Sequence, residues 1–125
     1  MNKKVMIVDD DEHIRLTVKE VLESEGLEVV TAEGALACLI ELEKGFTGIV
    51  LMDIMMPDYD GWDAIRMIIN TGKYKNIIIA MLTAMDKPDQ KMQGLQEYVT
   101  DYITKPFDSD ELVRVIKDYL TYLDG

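Results

Sequence analysis

Short apolar runs alternate with longer amphipathic segments along the whole chain. Runs of this length, bounded by polar residues or glycine, are typical of strands that are buried on both faces of a sheet. Five strands are predicted, over residues 5–8, 28–31, 49–52, 77–82 and 99–103. The second is the weakest, and the fourth, which is rich in isoleucine, has the strongest strand character.

Helices are predicted between the strands, where apolar residues recur three or four positions apart. They cover residues 11–25, 36–42, 62–70 and 108–123. Asp108 and Glu111 open the last one as an acidic variant of a capping box. Residues 86–97 are predicted as a marginal helix, because they offer little apolar edge and Gly94 weakens the segment.

The second predicted helix takes its apolar face from Leu36, Leu39, Ile40 and Leu42. Cys38 lies among them and is expected to be a small core residue. It is the only cysteine of the chain, so no internal disulfide is expected, and a reducing compartment is the natural environment.

Alternating strands and helices predict an α/β fold, with a parallel sheet that helices cover on both faces. Of the common doubly wound arrangements, the flavodoxin-like five-stranded sheet with strand order 2-1-3-4-5 suits this chain. The 125 residues, 48% of them hydrophobic, are expected to form one domain spanning residues 1–125. In such a sheet the functional site lies at the carboxyl ends of the strands.

Charge and hydropathy exclude several classes of partner. The formal net charge of −11 repels phosphates, so nucleic-acid binding is not expected. The first apolar run, residues 5–8, is too short for a signal peptide or a membrane span. A soluble, cytoplasmic protein that binds no membrane is therefore expected.

Chemically distinctive residues follow four of the five predicted strands. They are Asp9 and Asp10 after the first, Asp53 after the third, Thr83 and Ala84 after the fourth, and Lys105 after the fifth. Because the first and third strands are neighbours in the predicted order, the three aspartates are expected in one pocket. Two unit charges about 4 Å apart repel by roughly 4 kcal/mol at an effective dielectric of about 20, so a proton or a cation has to offset them. Carboxylate oxygens favour Mg²⁺, whereas zinc prefers His and Cys, which are absent from these strand ends.

The same residues supply the parts of a phosphoryl-transfer site. Asp53 is the candidate nucleophile, because carboxylates can form acyl phosphates. Asp10 would hold the metal directly and Asp9 through water, while Lys105 supplies a positive charge and Thr83 a hydroxyl group. Each residue alone has an ordinary explanation as a turn, a helix cap or a surface lysine. Their occurrence at four strand ends in this order favours a functional site.

The sequence resembles the receiver domain of two-component response regulators over essentially its whole length. The resemblance is carried by VMIVDDD at residues 5–11, LMDIMMPDYDG at 51–61, LTA at 82–84 and DYITKPF at 101–107. It implies that Asp53 is the phosphorylated aspartate. It also implies that Asp10, Asp53 and the backbone carbonyl of Met55 hold Mg²⁺, with Asp9 beside them.

The resemblance further implies a conformational switch. Thr83 and Tyr102 match the switch pair of the family, in which Thr83 moves toward the phosphoryl group and Tyr102 turns inward. Lys105 would contact the phosphoryl group, and its peptide bond with Pro106 would be cis. The small Ala84 would keep the pocket accessible to a donor or a phosphatase.

By the same resemblance, the phosphoryl donor is a histidine kinase or a phosphotransfer protein. An unknown target protein would bind the surface formed by residues 86–123. The chain would be a phosphorylation-controlled binding switch that catalyses only its own phosphorylation and dephosphorylation. Tyr98 and Val99 stand where the family usually has Gly-Ala, and the bulky Tyr98 is expected to alter the path into the last strand and the neighbouring output surface.

Three alternatives compete with this interpretation. A phosphatase of the haloacid-dehalogenase type would carry an acid two residues after its nucleophile, where this chain has Met55, and would need a longer chain. A flavodoxin-like FMN carrier would not place acidic residues against the FMN phosphate. A receiver that serves only as a scaffold would not need to retain Asp9, Asp10, Asp53, Thr83 and Lys105 together.

Overall fold

The computed structural model describes residues 4–83 and 94–124. Its strands are β1 (Lys4–Val8), β2 (Glu28–Ala32), β3 (Gly48–Asp53), β4 (Ile77–Thr83) and β5 (Val99–Thr104). Its α-helices are α1 (Glu12–Glu23), α2 (Ala35–Glu43), α3 (Gly61–Thr71) and α4 (Ser109–Asp124), with short 3₁₀ helices at Lys73–Asn76 and Gln96–Tyr98. The predicted strands and the four clearly predicted helices are confirmed, whereas most of the marginal helix predicted over residues 86–97 lies outside the described residues. None of the described helices is long and apolar enough to cross a membrane.

The five strands form one parallel sheet in the order β2-β1-β3-β4-β5, as predicted. Val8 pairs with Met52 across β1 and β3, and Thr83 pairs with Thr104 across β4 and β5. The carboxyl ends of these four strands therefore lie side by side at one end of the sheet. Residues that follow them are brought together there.

Two hydrophobic clusters cover the two faces of the sheet. Alternation along β1 sends Met6 and Val8 into one cluster with α2 and α3, and Val5 and Ile7 into the other with α1 and α4. Every residue of β3 is buried, as expected for a strand that is covered on both faces. This double coverage holds the strand ends in a rigid frame.

The apolar face predicted for α2 is partly wrong. Leu36 and Ile40 are 58% and 55% exposed, whereas Ala35, Cys38 and Leu42 are buried. The buried residues recur at helical spacing and form the stripe that faces the sheet. Two of them are small, which lets the helix approach the sheet closely. The expectation that Cys38 is a core residue is confirmed.

Hydrogen bonds at two helix starts differ from the sequence pattern. A capping box that was not predicted opens α3, where Asp60 Oδ1 accepts the N–H of Asp63 at 2.9 Å and Asp63 Oδ2 accepts the N–H of Asp60 at 3.1 Å. At the start of α4, Asp108 Oδ1 accepts the N–H of Asp110 at 2.9 Å. Asp108 is therefore the cap, as predicted, but its side chain bonds to Asp110 and not to the predicted Glu111.

Candidate functional site

Three aspartates converge at the carboxyl ends of β1 and β3. Asp9 and Asp10 follow β1 directly, and Asp53 is the last residue of β3. One carboxylate oxygen from each lies within 4.8 Å of the other two. Asp9 and Asp53 are 1% and 5% exposed, and Asp10 is exposed. The predicted convergence of the three carboxylates is confirmed.

Lys105 reaches this acidic cluster from the end of β5, the strand at the edge of the sheet. Its Nζ atom lies 2.8 Å from Oδ2 of Asp9 and 3.3 Å from Oδ1 of Asp53. Because Lys105 follows β5, its side chain extends past the end of β4 to make these contacts. The peptide bond between Lys105 and Pro106 is cis, as the resemblance implied.

Burial and neighbouring charges shift the pKa values of Asp53 and Lys105. Burial raises the pKa of Asp53 to about 6, and the negative charge of Asp9 adds to this effect, while Lys105 and the N–H of Met55 oppose it. Burial alone would lower the pKa of Lys105, but hydrogen bonds and charge from Asp9 and Asp53 outweigh it and raise that pKa. The cluster therefore keeps an excess of negative charge that a proton or a cation can offset.

The loop between β3 and α3 places backbone groups against Asp53. The N–H of Met55 donates to Asp53 Oδ1 at 3.3 Å, and Met55 itself is 64% exposed. The N–H of Gly61 donates to the carbonyl of Ile54 at 2.8 Å. A Cβ atom at Gly61 would lie only 2.5 Å from the carbonyl oxygen of Asp53, so the close approach of this loop requires glycine.

The remaining predicted site residues lie on or after β4 and β5. Thr83 is the last residue of β4, and Ala84 lies outside the described residues. Tyr102 lies on β5 and is 42% exposed, with its ring centroid 6.4 Å from that of Trp62. Trp62 is 2% exposed, and its Nε1 is a buried nitrogen without a hydrogen-bond partner in the described part of the chain. Tyr102 thus packs against the start of α3 while much of its ring remains accessible.

One contact at the site, made by Arg15, is not predicted by the apolar pattern. Its Nη1 atom donates to the backbone carbonyl of Asp9 at 2.7 Å. A signal for it exists, because Arg15 lies one turn after Asp11, the N-cap of α1. Long helical side chains point back toward the helix N-terminus, which here directs the guanidinium to the end of β1.

The donor set suits a hard cation. The cluster offers carboxylate oxygens, and among the described residues Cys38 is buried in the core and His13 is exposed on α1, so neither belongs to it. Oxygen ligands that remain accessible on one side, here through Asp10, suit a divalent ion that keeps several waters. The acidic cluster can therefore bind a metal ion.

Comparison with known proteins agrees with this geometry. Residues 5–117 match the response regulator receiver domain. PilG of Pseudomonas aeruginosa is 33% identical over 117 residues, which cover 94% of this chain and 87% of PilG. The phosphate regulon transcriptional regulatory protein PhoB of Escherichia coli is also 33% identical, but the chain spans only 51% of its length. The chain belongs to the response regulator receiver domain family.

Solved structures show the same fold. A CheY-like response regulator receiver domain protein from Methanospirillum hungatei is 49% identical and superposes with a TM-score of 0.93 over 97% of this chain and 96% of that one. The chemotaxis protein CheY4 of Vibrio cholerae is 28% identical, with a TM-score of 0.85 over 95% of this chain and 99% of its own. The predicted flavodoxin-like fold is confirmed, and the chain is a receiver domain of the two-component response regulators.

Proposed function

We propose that this receiver domain accepts a phosphoryl group on Asp53 in a Mg²⁺-dependent reaction, from a histidine kinase or a phosphotransfer protein. The placement of Asp53 carries the proposal. Asp53 is 5% exposed, lies beside two further carboxylates, and has the ammonium group of Lys105 3.3 Å from its Oδ1. One pocket therefore combines a nucleophilic oxygen, metal ligands and a cation that can meet an incoming anion.

The acidic cluster would hold the metal. Asp10 and Asp53 would bind Mg²⁺ through their carboxylates, together with the backbone carbonyl of Met55, and Asp9 would act through water. The bound ion supplies positive charge for the phosphoryl oxygens. The exposure of Asp10 supports this assignment, because it leaves one side of the ion open to the waters that Mg²⁺ retains.

Residues of the chain account for the transfer itself. An oxygen of Asp53 attacks phosphorus, the P–N bond of the phosphohistidine donor breaks, and the imidazole leaves with the electron pair of that bond. Lys105, which already bridges Asp9 and Asp53, would exchange its contact with Asp53 for one with a phosphoryl oxygen. Thr83 would offer its hydroxyl to the phosphoryl group, and the small Ala84 would leave room for the donor.

Phosphorylation would then switch a binding surface. The acyl phosphate would carry about −1.5 to −2 charge in place of the single negative charge of the Asp53 carboxylate. Thr83 and Tyr102 would respond, and the inward turn of Tyr102 would change the surface of residues 86–123 that a target protein binds. The domain would catalyse only its own phosphorylation and dephosphorylation, in the cytoplasm, without binding nucleic acid or membranes.

Intact mass spectrometry after incubation with acetyl phosphate and MgCl₂ tests the proposal. We expect one phosphoryl adduct in the wild type, none in EDTA and none in Asp53→Asn. Asp118→Asn is the matched control, because it removes an exposed carboxylate on α4 and should be phosphorylated like the wild type. The lack of an adduct with any donor or metal would overturn the proposal and favour a scaffold that has lost its switch.

A further inference from the structure

Arg15 joins the first turn of α1 to the end of β1. Its Nη1 atom donates to the backbone carbonyl of Asp9 at 2.7 Å, and its backbone N–H donates to the carbonyl of Asp11 at 3.1 Å. The side chain is half-buried against the turn. The second of these is the ordinary backbone bond of the helix, so the side chain of Arg15 acts on this turn through the carbonyl of Asp9.

The two neighbours of Asp10 are held by further hydrogen bonds. The N–H of Asp9 donates to the carbonyl of Ala32 at 3.1 Å, and Oδ1 of Asp9 accepts the N–H of Asp11 at 2.9 Å. Asp11 in turn caps α1 with its side chain. The bond from Arg15 to the carbonyl of Asp9 completes this set and fixes the turn on both sides of Asp10.

We propose that Arg15 is a positioning residue for the metal site. The inference rests on the proposed function, in which Asp9, Asp10 and Asp53 surround Mg²⁺. The carboxylate of Asp10 is exposed, and the backbone of the turn sets the position of the Cβ atom from which it extends. By fixing that backbone, Arg15 sets the separation between the carboxylates of Asp10 and Asp53 without contacting the ion.

The positive charge of Arg15 should weaken Mg²⁺ binding, whereas its positioning of the turn should strengthen it. A guanidinium near a cation site repels the cation, so an effect of charge alone means that removing Arg15 tightens Mg²⁺ binding. An effect of position means that removing Arg15 weakens binding, by about 10-fold as for other residues that orient metal ligands. Salt separates the two effects, because the Debye length falls from about 8 Å at 0.15 M to about 3 Å at 1 M.

Titration calorimetry with MgCl₂ on the full chain tests the inference with three variants. Arg15→Gln removes both the charge and the bond to Asp9, while Arg15→Lys keeps the charge and one donor group. Lys19→Gln is the matched control, because it removes a charge one turn further along the same helix. We expect about 10-fold weaker Mg²⁺ binding in Arg15→Gln, also at high salt, partial recovery in Arg15→Lys, and no weakening in Lys19→Gln.

Thermal unfolding with EDTA and with Mg²⁺ distinguishes positioning from a general loss of stability. If Arg15 acts on the site, Arg15→Gln reduces the rise in unfolding midpoint that Mg²⁺ produces. An equal loss in both buffers, or Mg²⁺ binding that is unchanged or tighter, overturns the inference and leaves the proposed function intact. If the wild type neither binds Mg²⁺ nor forms an adduct at Asp53, both are overturned.

Discussion

Nζ of Lys105 lies 2.8 Å from Oδ2 of Asp9, although 96 positions separate the two residues along the chain. Asp9 is 1% exposed, so its carboxylate depends on this partner in place of water. The same ammonium group lies 3.3 Å from Oδ1 of Asp53. One lysine after β5 therefore compensates two buried carboxylates at the ends of the neighbouring strands β1 and β3. The charge balance of the site thus depends on the assembly of the sheet from β1 to β5.

Lys105→Met should destabilise the metal-free protein, because it leaves both buried carboxylates without this cation. We expect the free energy of unfolding to fall by about 2–3 kcal/mol near neutral pH, as measured by urea denaturation in EDTA. Lys117→Met is the control, because Lys117 pairs with Glu25 at 2.7 Å on the surface, where such pairs contribute less than about 1 kcal/mol. An equal loss in the two variants would contradict this prediction.

Asp53→Asn should stabilise the metal-free protein, and more at about pH 8 than at about pH 5. Burial and the charge of Asp9 raise the pKa of Asp53 from 3.8 to about 6, so the folded state binds this proton more tightly than the unfolded state does. Ionisation of Asp53 therefore lowers stability as pH rises from about 4 through about 6, and asparagine removes that loss.

Solvent screening at the open side of the site reduces this effect, so we expect a gain of about 1 kcal/mol at about pH 8. For a domain of this size the unfolding midpoint should rise by about 4 °C in EDTA. The difference between the wild type and Asp53→Asn should shrink in Mg²⁺, because the cation compensates the same charge. A gain that does not depend on pH would argue against the raised pKa.

Gly61→Ala should disturb both the fold and the phosphoacceptor. A Cβ atom at this position would lie 2.5 Å from the carbonyl oxygen of Asp53 and 2.9 Å from Cα of Ile54, both of which are backbone atoms. We expect the free energy of unfolding, measured by urea denaturation, to fall by about 2 kcal/mol, and the phosphoryl adduct to form more slowly. In the control Gly34→Ala, nothing lies within 4 Å of the added Cβ, but Gly34 is the N-cap of α2, where alanine is less favourable than glycine. We therefore expect a loss of less than about 1 kcal/mol in the free energy of unfolding and an unchanged rate of adduct formation.

The parallel sheet and the convergence of the three aspartates could be predicted because both depend on where the strands lie, which the pattern of apolar residues shows. Strands buried on both faces, such as β3, appear as continuous apolar runs, and the usual strand order of a doubly wound sheet then places Asp53 near Asp9. Helix orientation could not be predicted as well, since large apolar residues such as Leu36 dominate a pattern even when smaller ones face the core. The contact of Arg15 with Asp9 is a single side-chain hydrogen bond, which the pattern of apolar residues does not reveal.

The orientation of α2 can be tested with two leucines of that helix. Leu36 is 58% exposed and Leu42 is 1% exposed. We therefore expect Leu36→Gln to change the free energy of unfolding by less than about 0.5 kcal/mol, and Leu42→Ala to lower it by about 2–5 kcal/mol. Urea denaturation measures both, and a large loss in Leu36→Gln would mean that α2 faces the sheet through a different stripe.

The thiol of Cys38 should report on opening of the fold. Cys38 is 0% exposed, and burial raises the pKa of its thiol to about 12, with a smaller effect in the same direction from the charge of Glu41. Near pH 8 the thiol is therefore protonated as well as shielded, and alkylation by iodoacetamide requires that α2 separates from the sheet.

Labelling of the native protein, followed by mass spectrometry, should be slower than labelling in urea by a factor on the order of 10³ or more. Mg²⁺ should slow it further in the wild type, because the ion binds only the folded state, and should do so less in Asp53→Asn. Native labelling as fast as that in urea would show that Cys38 is accessible. A rate independent of Mg²⁺ would mean either that α2 opens without disrupting the acidic cluster or that the cluster binds no Mg²⁺, and Mg²⁺ titration calorimetry distinguishes the two.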